Sequence, residues 1–577
     1  MFRSLQARLF RLAGPVPANT SEYQPLHHDQ DARIATANDE GISLPNGDGG
    51  PRLGSHRDAA AMMLIRLGRS PDEPISISPE DDARILRRID IALLPLMLSV
   101  YFLQALDKAT LSYASIFGLI DDTGLVGDQF SWLGSIVYLA QLVMQLPLAL
   151  ALVKLPIGKF TSVMVFAWGS TLVLMTWAHN FPQLMVARFF LGAFEASIGP
   201  SFVAITQMWW RRREQTMRIG SWYCMNGLTW VFGSLITYGL VSMHSSMKPY
   251  EIIFLFFGIV TVFVSGIMFY WMPDSPTEAK FLSDDDKVIA IERLRDNQMG
   301  VMSREWRFSH FYETLTDLKT WLWVVMMFCI SVPSSGISTY GPQIMKSFLE
   351  DPYLTTLMNV PIGLSHVIAV SGSAYLSMKW TRKGPVIALL CIPPIIGLSI
   401  LLKLPAVPEY RGALLTGYFC LSTFTGITPL LYSWSAQNTA GDTKRKSVSA
   451  VVFIGSSAGN VLGPLLFTPD DPQTGLGTIM GFFVTIIVLV ILTTLYLKWL
   501  NRKHGQRRVA LGKKARIRDF SLESAEEIQR LKHVDSTVQH AADLYDNSEP
   551  LRLESEVLNK AFADATDLEN EDFMFVY

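Results

Sequence analysis

Apolar residues along this chain gather into runs of about twenty, the length that crosses roughly 30 Å of hydrocarbon at 1.5 Å per residue. The pattern predicts twelve membrane helices, at 91–118, 131–153, 160–179, 182–206, 219–243, 250–272, 321–346, 357–378, 384–404, 411–436, 447–467 and 477–500. The widest interval between them divides the twelve into six and six. The expected fold is an all-α membrane protein of two pseudo-symmetric six-helix bundles. Its expected parts are an N-terminal tail at 1–88, a first bundle at 89–272, a linker at 273–320, a second bundle at 321–500 and a C-terminal tail at 501–577. In the linker, Asp284, Asp285 and Asp286 precede an apolar pattern at Val288, Ile291 and Leu294. Acidic residues in a first turn suit a helix N-terminus, so this segment is predicted to be an amphipathic helix.

Composition agrees: 49% of residues are hydrophobic and 17% charged. The net charge of −2 hides a sorting by loop. Connections after spans two, four, eight and ten carry Lys154, Lys159, Arg211, Arg212, Arg213, Lys379, Arg382, Lys383, Lys444, Arg445 and Lys446, whereas those after spans one, three and eleven carry no Lys or Arg. By the positive-inside rule the basic connections and both tails face the cytoplasm. The tails, rich in Asp, Glu, Ser, Gly and Pro, are expected to be disordered. The opening "MFRSLQARLFRLAGPVPA" mimics a mitochondrial presequence, but it is read instead as a cytoplasmic tail touching anionic lipid, which explains the same residues. Asn19 lies in a sequon on the cytoplasmic side and is expected to be unmodified. The four cysteines, Cys224, Cys329, Cys391 and Cys420, fall inside spans and imply no disulfide framework. There is no nucleotide loop, no HExxH and no paired Cys ligand set, so neither ATP-driven pumping, a metal or other cofactor, nor enzymatic chemistry is expected. The basic clusters read as topology anchors rather than nucleic-acid contacts.

Against this apolar background a few charges stand out. Span one contains "YFLQALDKATLSYAS", with Asp107 beside Lys108, and span four contains "VARFFLGAFEASIGP", with Arg188 and Glu195 two turns apart on one face. Charges at bilayer depth cost at least about 2.5 kcal/mol each and tend to be paired and functional. Counted along their helices, the two pairs reach comparable depths, so Asp107 or Glu195 can meet Lys108 or Arg188. A purely structural ion-pair cluster explains the same residues, yet apolar replacements of similar size are often as stable, which favours use. His366 is a further ionisable group deep in a span. Tyr340, Gln343, Asn359, Asn438 and Asn460 are candidates for hydrogen bonds to substrate or between helices.

Several strings resemble the major facilitator superfamily, and within it the fungal anion:cation symporters around allantoate permease. They are "LDKATLSYA", "LPIGKF", "RFFLGAFEA", "MWWRRREQ", "SPTEAKFLSDDDKVIAIERLRDNQMG", "GISTYGP", "NTAGDTKRKSVSAVVFIGSSAGNVLGP" and "ATDLENEDFMFVY", in the family's order after residue 88. Met299 and Met574 depart from it, Thr and Arg being usual there. The resemblance implies two bundles that alternately expose a central cavity lined by spans one, four, seven and ten. It assigns proton coupling to Asp107 and Glu195 and substrate or charge pairing to Lys108 and Arg188. Tyr340 and Gln343, in span seven, become candidate substrate contacts, followed by His366 and Asn438. Arg211, Arg212, Arg213, Lys444 and Arg445 become an inner gate. The expected function is proton-coupled symport of a small organic anion or related metabolite, a ureide, carboxylate or vitamin, by a monomer in the plasma membrane. The alternatives are a secondary-metabolite exporter of the same fold, an organellar location and a non-transporting nutrient sensor.

Overall fold

The computed structural model describes residues 63–64, 77–522 and 564–577, apart from 117, 128, 242–246, 296, 298–304, 350–357, 406, 467–471, 514, 516 and 518. The presequence-like opening and Asn19 lie outside the described residues. Leaving short turns aside, the helices are α1 (Pro79–Ile116), α2 (Gln129–Lys154), α3 (Ile157–Leu174), α4 (Phe181–Glu195), α5 (Ile198–Trp209), α6 (Arg212–Tyr223), α7 (Met225–Val241), α8 (Pro249–Trp271), α9 (Asp284–Arg295), α10 (Phe308–Thr316), α11 (Leu318–Leu349), α12 (Asn359–Trp380), α13 (Gly384–Lys403), α14 (Arg411–Ser422), α15 (Ile427–Gln437), α16 (Asp442–Leu465) and α17 (Pro472–Ala510). Every apolar run of the sequence falls on a helix. Among the described residues ten spans are long and apolar enough to cross a membrane. The fifth run is divided between α6 and α7 at Cys224, and the eleventh is α16.

Two expected boundaries are corrected. The N-terminal tail ends ten residues earlier than its predicted limit of 88, because "SPEDD" starts a helix: the Ser78 hydroxyl accepts from Asp81 N at 3.1 Å, Pro79 opens the first turn, and Glu80, Asp81 and Asp82 follow. The C-terminal tail is not disordered throughout. Helix α17 continues to Ala510, and residues 564–577 fold against the basic end of the helices, with Thr566, Asp567 and Phe573 fully buried.

The linker forms its predicted helix α9, with Val288, Ile291 and Leu294 buried and the Ser283 hydroxyl capping Asp286 N at 3.2 Å. Its Asp286 binds Arg84 of α1 at 2.8 Å and also Arg88. The two halves of the chain meet along α2 with α16 and α7 with α12. At the second of these junctions Gly227 and Gly363 face each other so closely that a Cβ on either would lie within 2.7 Å of the other's carbonyl oxygen. Side chains larger than hydrogen there force the halves apart.

Candidate functional site

Span four is broken where its acid sits. Helix α4 ends at Glu195 and α5 starts at Ile198, two residues before Pro200. Proline has no N–H to return to the carbonyl four residues earlier. That carbonyl, Ala196 O, instead faces Gln145 Nε2 of α2 at 3.5 Å. Gly192, one turn before Glu195, lets α4 press onto α2: a Cβ would stand 2.5 Å from Val137 O. Glu195 is therefore fixed by backbone packing on both sides.

The four charges come together only in part. Lys108 Nζ lies 3.2 Å from Glu195 Oε1, in contact but off hydrogen-bond geometry, so neither Glu195 oxygen has a hydrogen-bond partner. The lysine side chain is 40% exposed while the glutamate's is wholly buried. Asp107 takes a different partner: its Oδ2 accepts from Trp168 Nε1 of α3 at 2.8 Å, and Oδ1 from the Thr110 hydroxyl at 3.2 Å. Arg188 Nε donates to Leu133 O of α2 at 3.2 Å, and its Nη1, also buried, has no partner. Asp107 and Glu195 both stand within electrostatic reach of Arg188, and Tyr138 and Tyr223 within reach of Lys108. One accessible cation thus touches a buried, unbonded carboxylate, with a second under-bonded pair beside it.

Trp168 escapes sequence reasoning, since one tryptophan in an apolar run carries no periodic signal. Tyr340 and Gln343 lie on α11, their side chains outside the described residues, as is that of Asn359. His366 lies on α12 against Gly227. Asn460 accepts from the Ser335 hydroxyl through its carbonyl at 2.9 Å, in a helix–helix contact. Asn438 is corrected: it sits past the end of α15, where Oδ1 accepts from Val576 N at 2.8 Å and Nδ2 donates to Val576 O and Trp434 O at 2.9 Å. Its side chain serves the C-terminal segment and is not free for a substrate.

The expected gate arginines and lysines occupy the basic end and are heavily paired. Arg211 and Arg293 share Asp82, Arg293 also reaches Glu214 at 2.8 Å, and Arg218 binds Asp90 at 2.7 Å. Arg213 lies beside them on α6, half-buried. Arg445 and Lys446 pair with Asp442 at 3.4 and 2.9 Å. Lys444 Nζ meets Glu313, Asp317 and Asp567 at 2.7, 2.9 and 3.0 Å. These three carboxylates converge as metal ligands would, but the Lys444 and Lys319 ammonium groups stand among them. Arg212 joins the halves: Nε donates to Gln437 O at 3.0 Å, Gln207 Nε2 donates to Ala436 O at 2.7 Å, and the Thr216 and Ser433 hydroxyls meet at 2.7 Å.

Membrane helices with buried, under-bonded charges at depth and a latched basic end define a solute carrier. The Major Facilitator Superfamily description matches residues 97–464. An uncharacterized transporter of Schizosaccharomyces pombe is 32% identical over 444 residues, covering 76% of this chain and 86% of its own. The thiamine pathway transporter and the allantoate permease of Saccharomyces cerevisiae are 30% and 29% identical, each over 75% of this chain and 82% of theirs. A proton:xylose symporter structure superposes with a TM-score of 0.52 at 14% identity, over 72% of this chain and 96% of that one. The chain belongs to the major facilitator superfamily. It is a multi-pass membrane protein and a secondary transporter, with relatives of the fungal allantoate permease type.

Proposed function

We propose that this transporter carries a small organic anion, of the ureide, carboxylate or vitamin class, together with protons. It works inward across the plasma membrane, with both termini and the basic end cytoplasmic. Helices up to α8 form one moving bundle and α11 to α17 the other, joined by the linker. The single observation that carries this reading is the contact between exposed Lys108 and buried, unbonded Glu195.

Charge balance couples the two solutes. With both acids ionised and both bases charged, the quartet is neutral. An anion that takes Lys108 leaves Glu195 as a buried charge without its cation, at a cost of several kcal/mol. Uptake of one proton restores neutrality, so anion and proton travel together. Arg188, with a spare N–H, offers a second donor to the same anion. The positive sorting of loops supports the cytoplasmic assignment, and the names of the yeast relatives support the substrate class.

The test is uptake by yeast or vesicles over a panel of labelled ureides, carboxylates and vitamins, with and without a proton gradient. Concentrative uptake of at least one anion, abolished by an uncoupler, is expected. Accumulation indifferent to the uncoupler overturns the coupling.

A further inference from the structure

The C-terminal segment is absent from the charge-balance mechanism, yet it is among the most thoroughly bonded parts of the molecule. "ATDLENEDFMFVY" begins with a Thr-x-x-Glu box: Glu569 N donates to the Thr566 hydroxyl at 3.2 Å and Thr566 N to Glu569 Oε2 at 2.9 Å, closing one helical turn. Next to it Asp567, with no exposed side chain, lies between Lys319 and Lys444. Burial alone would raise this carboxyl, but the two ammonium groups hold it down at about 2, so it is ionised at any physiological pH. The segment then runs along α17. Arg507 donates to Leu568 O at 2.7 Å, Arg508 to Glu571 O, and Asn501 exchanges two 2.9 Å hydrogen bonds with the Phe575 main chain. It ends at α15, where the Val576 carbonyl accepts from both Trp434 Nε1 and Asn438 Nδ2.

All these anchors belong to the second half of the chain. Among the described residues its tie to the first half is Arg212 of α6. That guanidinium donates to Met574 O at 2.8 Å, stands 4.7 Å over the Phe573 ring, and reaches Asp519 and the Ser521 hydroxyl further up the same tail. The same arginine holds Gln437 O across the junction between the halves. The bond to residue 574 uses its carbonyl, which explains how Met can stand there. Every polar partner that Arg212 Nη1 and Nη2 find here belongs to α15 or to the tail, so separating the two halves at this end must break all of them together.

We propose that residues 564–577 are a strap that positions the inner gate: docked on the second half, they hold Arg212 in the closed arrangement, and breaking their bonds to Arg212 is a step in opening the basic end. This rests on the reading of that end as the cytoplasmic gate. The strap binds to the second half as a ligand binds its groove. Its anchors to α15, α16 and α17 persist whether the gate is open or closed, so they favour neither state. Its bonds to Arg212 exist only when the gate is closed, and these alone bias the equilibrium towards closure.

The experiment reads the gate without transport. In a chain whose four cysteines are replaced by Ser, Ser433→Cys places a thiol at the buried junction beside Thr216, and Ser265→Cys places one in α8, equally buried but away from it. Labelling by a membrane-impermeant maleimide in inside-out vesicles is compared between the full chain and one ending at 563. The expected result is labelling of Ser433→Cys about tenfold faster after truncation, with Ser265→Cys still protected, and protection restored by adding a peptide of residues 564–577 but not its scrambled form. Asp567→Asn is expected to act in the same direction and Asp567→Glu to recover part of the protection. Unchanged protection of Ser433→Cys in the truncated chain overturns the strap. So does labelling at both positions, which marks a general loss of fold. Because no substrate or gradient is used, a strap that passes beside a failed uptake panel refutes the coupling and leaves the strap standing.

Discussion

The two charged regions of this transporter are built to opposite rules. At depth between the spans, Glu195 has two oxygens and Arg188 an N–H without hydrogen bonds, and Lys108 is open on one side. At the basic end Lys444 meets three carboxylates and Asp82 two guanidinium groups. A buried charge with too few partners is costly unless something else supplies them. The first region leaves charges under-bonded, as the proposed exchange of anion and proton requires, and the second pairs them, as the proposed latch requires. Substitutions should separate them: changes at depth act on transport with the fold kept, and changes at the basic end act on stability and gate position.

The largest effect is expected from Glu195→Gln and Lys108→Met. Either removes one side of the charge exchange, so concentrative uptake should fall by about 100-fold or more while the protein still inserts and remains monodisperse. Counterflow exchange, which needs no net proton movement, separates the two: Glu195→Gln keeps it and Lys108→Met loses it. Normal accumulation by Glu195→Gln would return the quartet to a packing role and erase the contrast.

Next comes Arg293→Met. Arg293 is wholly buried and ties linker helix α9 to Asp82 of α1 and Glu214 of α6. Removing one partner of a buried ion pair typically costs about 3 kcal/mol, because the opposing charge is stranded. Thermal unfolding in detergent should show a clear drop in midpoint, and cysteine protection at the junction should weaken only secondarily. If stability is unchanged but uptake is lost, the basic end takes part in substrate handling and the two regions are not distinct.

What is legible in the chain follows the same divide. Span positions, the linker helix and the convergence of the charges of spans one and four are readable because helical period and hydrophobic length are local properties; which acid meets which base is not. The partners of Asp107 and Arg188 are not: Trp168 and the Leu133 carbonyl come from other helices, and no spacing rule encodes them. Composition misleads at the C-terminal segment. "ATDLENEDFMFVY" is acidic, yet it holds a Thr-x-x-Glu box and a run of apolar residues, Phe573, Met574, Phe575 and Val576. Disordered segments lack such a run. The early start of α1 is likewise written in "SPEDD" and outweighed by the charged residues behind it.

The smallest effect concerns a cation of the latch that meets no carboxylate among the described residues. Lys383, between α12 and α13, is buried and donates to Gln437 Oε1, with Arg212 on the facing helix and Arg213 also lining the space around it. Asp519 of the tail is engaged by Arg212. Burial first, and Arg212 second, push the Lys383 ammonium down to about 7 from its usual 10.5. Opening the gate returns it to water and to its ordinary value. Between pH 7 and 10.5 the closed state therefore holds fewer protons than the open one, so acid favours opening and alkali favours closure. The slope approaches about tenfold in the open-to-closed ratio per pH unit above 7 and vanishes well below it, where both states are protonated. Labelling of Ser433→Cys, normalised to denatured protein at each pH, should fall from pH 7 to 9 in the parent and stay flat in Lys383→Met. A parent that is already flat would mean that Lys383 keeps the same charge in both states, and it would then belong to the packing of the latch rather than to its pH response.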